Sequence, residues 1–306
     1  MSQVNGAVPT LDTVEEVLHA LGTQRYVAET SLATAIFLGL KLPKPLLLEG
    51  EAGVGKTEIA KVLAAILQTD LIRLQCYEGL DVSHAVYEWN YPRQMLAIRA
   101  AEASQESRES AIAQIFSEDY LIKRPLLQAI EHRGKAPVLL IDEIDRADEE
   151  FEAFLLELLS DFQITVPELG TMKAEYPPIV IITSNRTREL HDALKRRCLY
   201  HWIDYPTVEK EYKIVQTKVP GINDRLASQI THFVHDLRDI DLYKLPGVAE
   251  TLDWAAALMA LNQRELSTEV ASSTLGAILK HQEDIQSIRK NKLDDLVAAA
   301  SAGSNG

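Results

Sequence analysis

Eight residues could hold a polyphosphate: Gly50, Glu51, Ala52, Gly53, Val54, Gly55, Lys56 and Thr57, a Gly-x4-Gly-Lys-Thr run. Glycines at these intervals let the backbone curl until successive N–H groups point inward at an anion. An ammonium at Lys56 would reach the outer phosphates, and the Thr57 hydroxyl would ligate a magnesium ion. A second group lies downstream, where the apolar run Val138-Leu139-Leu140-Ile141 ends in Asp142-Glu143. One carboxylate there would face the cation and the other would stay free to orient or deprotonate water. Each group has a plainer reading. The first could be a tight turn with a chance Lys-Thr. The second could be a solvated acidic turn, since Asp145, Asp148, Glu149 and Glu150 follow.

The flanking elements weigh against the plainer reading of the first group, and the presence of that loop upstream weighs against the plainer reading of the second. Pro45 to Leu48 reads as a buried parallel strand leading into the loop. Glu58 to Leu67 reads as an amphipathic helix with Ile59, Val62, Leu63 and Ile66 on one face, and its start aims a positive dipole end at the same anion. Further strands are predicted at Leu71 to Gln75, Val138 to Ile141, Pro178 to Ile182 and Leu199 to Ile203. Helical sequence separates most of them, which predicts right-handed crossovers and a five-stranded parallel α/β sheet. Two helices precede the sheet, around Val14 to Leu21 and Ser31 to Leu40, and Met1 to Pro9 reads as a loose tail. After Tyr205-Pro206 the pattern is helical: Thr207 to Lys218, Asp224 to Leu237, Val248 to Leu261 and Thr268 to Lys290. The expected division is an α/β core over residues 1–206 and a helical domain over residues 207–306, with Ala298 to Gly306 frayed.

Composition narrows the function classes. The 306 residues carry a formal net charge of −14 and are 46% hydrophobic. An acidic balance argues against a protein that works by gripping a phosphate backbone, so no nucleic-acid partner is expected. No apolar run reaches the eighteen residues of a transmembrane helix, so no membrane insertion is expected. The opening residues lack the basic and apolar regions of a signal peptide. Cys76 and Cys198 form neither a metal spacing nor a disulfide framework, which suits free thiols in a reducing cytoplasm. His191, His201, His232 and His235 are scattered and read as surface or satisfied core residues.

Taken in order, these motifs resemble those of AAA+ ATPases, and more narrowly the MoxR type and its CoxD-like subgroup. The resemblance rests on Gly50 to Thr57, Leu74 to Asp81, Ile141 to Arg146, Ile182 to Arg186 and Asp192 to Tyr200. It implies a P-loop core with a helical lid, ATP and Mg²⁺ as cofactors, and ATP hydrolysis. Residues Gly50 to Thr57, Glu58 and Asp142 would bind nucleotide, with Thr57 and Asp142 serving the metal. Glu143 would be the catalytic base, and Asn185 the polar sensor of water and γ-phosphate. Arg197, with Arg196 as its neighbouring candidate, would be the finger that enters the next subunit's site; a basic helix end is the plainer reading. The resemblance further implies a homo-oligomeric ring, a hexamer, that remodels a protein client together with a von Willebrand A domain partner, in a task such as metal-cofactor maturation. Ile164 to Ala174 reads as a strand-turn-strand hairpin, and Ser83 to Arg99 as an insertion bearing Tyr87, Trp89 and Tyr91; both would face the ring's pore. Ordinary packing is the plainer reading for each aromatic. The stretch Leu245 to Leu252 holds no arginine, so no second sensor is assigned. Two other readings stand beside this one: a nucleic-acid motor or clamp loader, and a non-hydrolysing ATP-binding switch.

Overall fold

A computed structural model describes residues 11–104 and 114–303. The expected tail at Met1 to Pro9 lies outside them. Contacts divide the chain into two compact units. The first takes residues up to Val17, Thr30–Glu49 and Thr57–His201; the second takes Leu18–Glu29, Gly50–Lys56 and the chain from Trp202.

Five strands form the main sheet: β1 (Leu46–Gly50), β2 (Leu71–Gln75), β5 (Val138–Asp142), β8 (Ile179–Ser184) and β9 (Leu199–Ile203), in the order β2-β5-β8-β1-β9. Pairing is parallel between β2 and β5, β5 and β8, and β8 and β1. The fold is therefore the α/β parallel architecture that the sequence predicts. Every residue of β1 and β5 is buried, as expected of strands covered on both faces. β2 is an edge strand and differs: Leu74 is buried while Arg73 is exposed.

Helix α1 spans Val14–Thr23 and α2 spans Thr30–Lys41. The crossover after β1 is α3 (Lys56–Leu67), whose Ile59, Val62, Leu63 and Ile66 are all buried. Between β2 and β5 lie α4 (Val82–Ala85), β3 (Tyr87–Trp89), α5 (Tyr91–Ser104), β4 (Leu121–Lys123) and α6 (Pro125–Ile130). β3 and β4 pair antiparallel. Trp89 is buried edge-on against Phe116, with ring centroids 5.4 Å apart, whereas Tyr91 is exposed. Of the three aromatics, Trp89 takes the ordinary packing role. Helix α7 (Glu149–Asp161) starts at an Asp148 cap that accepts the Phe151 amide. It leads into the expected hairpin, β6 (Gln163–Val166) and β7 (Gly170–Lys173). Helix α8 (Asp192–Arg197) joins β8 to β9.

The second unit carries α9 (Val208–Lys218), α10 (Asp224–Arg238), α11 (Val248–Ala260), α12 (Thr268–Ile278), α13 (Gln282–Asn291) and α14 (Leu293–Gly303). Phe233 and Trp254 centre its core, 4.9 Å between ring centroids. Thr207, Asn223 and Ser267 cap α9, α10 and α12 through their side chains.

Two expectations fail here. The segment Thr268 to Lys290 is two helices, not one. Leu275, Ile278 and Leu279 are all buried, and Leu279 leaves helical geometry to become an extended cap. The expected frayed end is helical through Gly303, with residues 304–306 outside the described set. Leu296, Val297 and Ala300 are buried, and a methyl group on Gly303 would lie 2.6 Å from the His232 ring. The small residues are there for close packing, and alanine is the best helix former.

Candidate functional site

The loop after β1 turns on three glycines with positive φ: Gly50 (154°), Gly53 (79°) and Gly55 (96°). At Gly50 a side chain is impossible, because its Cβ would lie 2.2 Å from the Ile203 carbonyl oxygen. The Lys56 ammonium, almost fully buried, donates to the carbonyls of Gly50 at 2.7 Å and Glu51 at 2.6 Å. It thus lies across its own loop. Ala52 and Val54 complete the turn, and Glu58 pairs with Lys61 at 3.3 Å in the first turn of α3.

Within the second unit, which includes Gly50–Lys56, the start of α11 braces this loop. The Ala249 amide, in the first turn of α11, donates to the Gly53 carbonyl at 3.1 Å. Gly247 caps α11, and a methyl group there would lie 2.6 Å from the Ala52 oxygen. Glu250 accepts the Gly247 amide at 3.0 Å. Pro246 is fixed in turn by Arg238, whose guanidinium donates to its carbonyl at 2.8 Å. Arg238 also makes a bidentate pair with Glu211 at 2.6 and 2.8 Å, and it lies over the Tyr205 ring. Thr251 donates to the same Glu211 carboxylate at 2.6 Å.

In the first unit, Asp142 ends β5 and is buried. Its Oδ1 accepts the Thr57 hydroxyl at 3.0 Å and the Thr183 hydroxyl at 2.5 Å. Its Oδ2 accepts Nε and Nη2 of Arg73 at 3.0 and 2.5 Å. Glu143 follows in the left-handed region, at φ 56° and ψ 51°. A non-glycine residue held there carries strain of the kind that gathers at functional sites. Its amide donates to the Thr183 hydroxyl at 2.9 Å. Its Oε2 accepts Gln75 Nε2 at 3.0 Å and pairs with Arg146 Nε at 3.0 Å.

Asp145 ties the loop after β5 to the loop after β8. It accepts the amides of Asn185 at 3.1 Å and Thr187 at 2.9 Å, and the Thr187 hydroxyl at 2.7 Å. Burial pushes its carboxyl up, but these donors outweigh burial and hold it below the ordinary value. Asn185 is thereby held through its backbone amide to Asp145. The acids act on Cys76 as well. Burial first, then Asp142, Asp145 and Glu143, push its thiol up to about 12.

The predicted residues therefore fall into three sets. Thr57, Asp142 and Glu143 are linked within one unit, directly or through the Thr183 hydroxyl, while Asn185 is tied through its amide to Asp145. Gly50 to Lys56 form the braced loop. Arg196 and Arg197 are exposed at the end of α8; among the described residues, the network around Asp142 and Glu143 closes without them. Sequence reasoning missed Arg73, Gln75, Thr183 and Asp145. The signal for Arg73 and Gln75 was the alternation Ile72-Arg73-Leu74-Gln75, which puts both polar residues on one face of the strand.

The Thr57 hydroxyl and the Asp142 carboxylate are hard oxygen donors of the kind magnesium takes together with phosphate and water. Among the described residues no cluster of three or more His, Cys, Asp or Glu could hold a metal alone. The residues present thus fit a cation that arrives with a polyphosphate. No helix among the described residues is long and apolar enough to cross a membrane.

Several known proteins are similar to this chain. An uncharacterized protein of Staphylococcus haemolyticus, SH1500, is 25% identical over 213 residues, covering 67% of this chain and 72% of its own. The uncharacterized protein SAOUHSC_01413 of Staphylococcus aureus is 26% identical over 210 residues, 64% and 69% of the two chains. Among solved structures, the RuvB Holliday junction branch migration motor of Thermotoga maritima matches over 88% of this chain and 72% of its own, at 16% identity and a TM-score of 0.45. The family model of the AAA domain, dynein-related subfamily, matches residues 45–198, from the start of β1 to the end of α8. The chain belongs to the AAA domain family, in its dynein-related subfamily.

Proposed function

We propose that the protein is an ATP hydrolase of the MoxR type. Its core would take residues 1–206 and its lid residues 207–306, and it would assemble as a hexameric ring. The observation that carries this reading is the 3.0 Å bond between the Thr57 hydroxyl and Asp142, with Glu143 next in sequence. By resemblance to that type, the nucleotide's phosphates would be held by the glycine loop and its metal by Thr57 and Asp142. Loop amides and the α3 dipole bind the phosphates, and Lys56 exchanges its carbonyl partners for phosphate oxygens. Thr57 and Asp142 would hold Mg²⁺, which would offset phosphate charge. Glu143 takes a proton from the attacking water, and Asn185 orients that water without repelling the phosphate. Arg197, or Arg196 beside it, reaches a neighbouring subunit's site, where a guanidinium stabilises charge developing on the transferred phosphoryl. The exposure of both arginines in the single chain suits that role.

By the same resemblance, turnover drives rearrangement of a protein client, a von Willebrand A domain protein in the cytoplasm, through the β6–β7 hairpin. The net charge of −14 favours a protein client over a nucleic acid. Steady-state phosphate release tests the core of the reading. Glu143→Gln should keep nucleotide binding and lose at least about a hundredfold in turnover, the order expected of a general base. Lys56→Ala should lose nucleotide binding. Wild-type turnover no higher than that of Lys56→Ala would refute the hydrolase assignment.

A further inference from the structure

Asp142 is fully occupied by its own chain. An ionised carboxylate offers about four lone-pair sites, and four donors take them: Thr57 and Thr183 on Oδ1, and two nitrogens of Arg73 on Oδ2. A cation, or the water that bridges to it, must displace one of these donors. Thr183 is buried and also accepts the Glu143 amide, so its removal would undo the turn. Thr57 sits on α3 and would turn its own oxygen toward the metal. Arg73 is different. It projects from an edge strand, its side chain is 50% exposed, and it carries a full charge that duplicates what a metal supplies.

We propose that Arg73 is a positioning residue that neutralises Asp142 while the metal is absent and leaves Oδ2 when a divalent cation arrives with nucleotide. The inference rests on the nucleotide-binding reading above. Arg73 then competes with the metal for one oxygen. The apparent metal affinity is the intrinsic affinity reduced by the fraction of Asp142 left free by the guanidinium. Without metal, the same guanidinium spares an incoming phosphate chain the unscreened Asp142 charge. Gln75, which accepts from Arg73 Nη2 and donates to Glu143 at 3.0 Å, keeps the guanidinium aimed at this edge of the site.

The experiment uses the full chain with a fluorescent ADP analogue, so that no turnover intervenes. Nucleotide affinity is measured in EDTA, and Mn²⁺ affinity of the nucleotide complex is measured by the electron paramagnetic resonance of free Mn²⁺. Arg73→Gln should bind Mn²⁺ about tenfold more tightly than wild type, a charge-assisted bond discounted for exposure. It should bind the ADP analogue several-fold more weakly in EDTA. Arg73→Lys, which keeps the charge but not the paired donors, should fall between. Unchanged or weaker Mn²⁺ affinity in Arg73→Gln, with wild-type nucleotide binding intact, would overturn the role of Arg73 alone. No nucleotide binding by the wild type with Mg²⁺ present would overturn both readings.

Discussion

Replacing Gly247 with alanine adds one methyl group, and the structure fixes what that methyl group meets. The backbone there is extended, φ −84° and ψ −179°, which alanine adopts without strain. The penalty is therefore steric. The new Cβ would lie 2.6 Å from the Ala52 oxygen and 2.9 Å from Gly53 Cα, so loop and helix must part by about 0.4 Å or more to reach the 3.0 Å that real Cβ atoms respect. Overpacking of this kind costs about 1–3 kcal/mol. Parting also weakens the 3.1 Å bond from the Ala249 amide to the Gly53 carbonyl, worth about 1 kcal/mol. The expected loss is about 2–4 kcal/mol, in the unit that holds α9 to α14. Gly276→Ala is the control. Gly276 lies within α12 with no neighbouring atom inside 4 Å of an added Cβ, so its methyl group should stabilise by about 0.5–1 kcal/mol. One chemical change thus gives opposite signs at two sites. Urea unfolding followed by circular dichroism reads the stabilities, and amide exchange at Ala249 reads the bond itself. If Gly247→Ala matched wild type in both, the close crossing of loop and helix would be refuted.

Arg238→Met should cost about 3–5 kcal/mol, because it strands the buried Glu211 carboxylate and frees the Pro246 carbonyl. Adding Glu211→Leu should recover much of that loss, and thermal unfolding of the single and double variants checks it. For Cys76, burial pushes the native thiol up to about 12, against about 8.5 in the unfolded chain. Its contribution to stability is complete below the lower value and fades as pH rises toward the upper. Between them stability should fall by up to about 1.4 kcal/mol per pH unit for this thiol, and Cys76→Ala should flatten that slope in unfolding titrations. Iodoacetamide at pH 8 should label Cys76 only after denaturant is added; rapid labelling of the native protein would contradict its burial.

The glycine loop was legible because backbone geometry strongly favours glycine at its turning points. Positive φ at three positions favours glycine, and at Gly50 a carbonyl stands where any side chain would begin. The strands were legible because parallel strands covered on both faces need unbroken apolar runs. β2 was legible only as a strand. Its polar face was visible in Arg73 and Gln75, but what the face meets depends on β5, whose Asp142 pairs in register with Gln75 across a long crossover. The C-terminal helix was misread because a row of small residues looks the same whether it is loose or closely packed. Gly303 against the His232 ring shows that it is packed. Arg196 and Arg197 pose the opposite difficulty. A residue that acts on a neighbouring copy must be exposed in its own chain, so a finger and a plain basic helix end look alike in a single chain.

The acidic run from Asp142 to Asp145 is shaped by the left-handed turn at Glu143. A strand continued past Asp142 would send successive side chains to alternate faces. The turn at Glu143 ends that alternation. Asp142 stays on the sheet edge with Thr57, Thr183 and Arg73, while Ile144 goes into the core. Asp145 turns to the loop after β8, where it holds the amides of Asn185 and Thr187. Thr183 reinforces the arrangement by accepting the Glu143 amide and donating to Asp142 with one hydroxyl. A solvated acidic turn would need none of these partners. Four consecutive residues thus have four separate destinations, and the left-handed turn at Glu143 leaves two adjacent carboxylates in different surroundings.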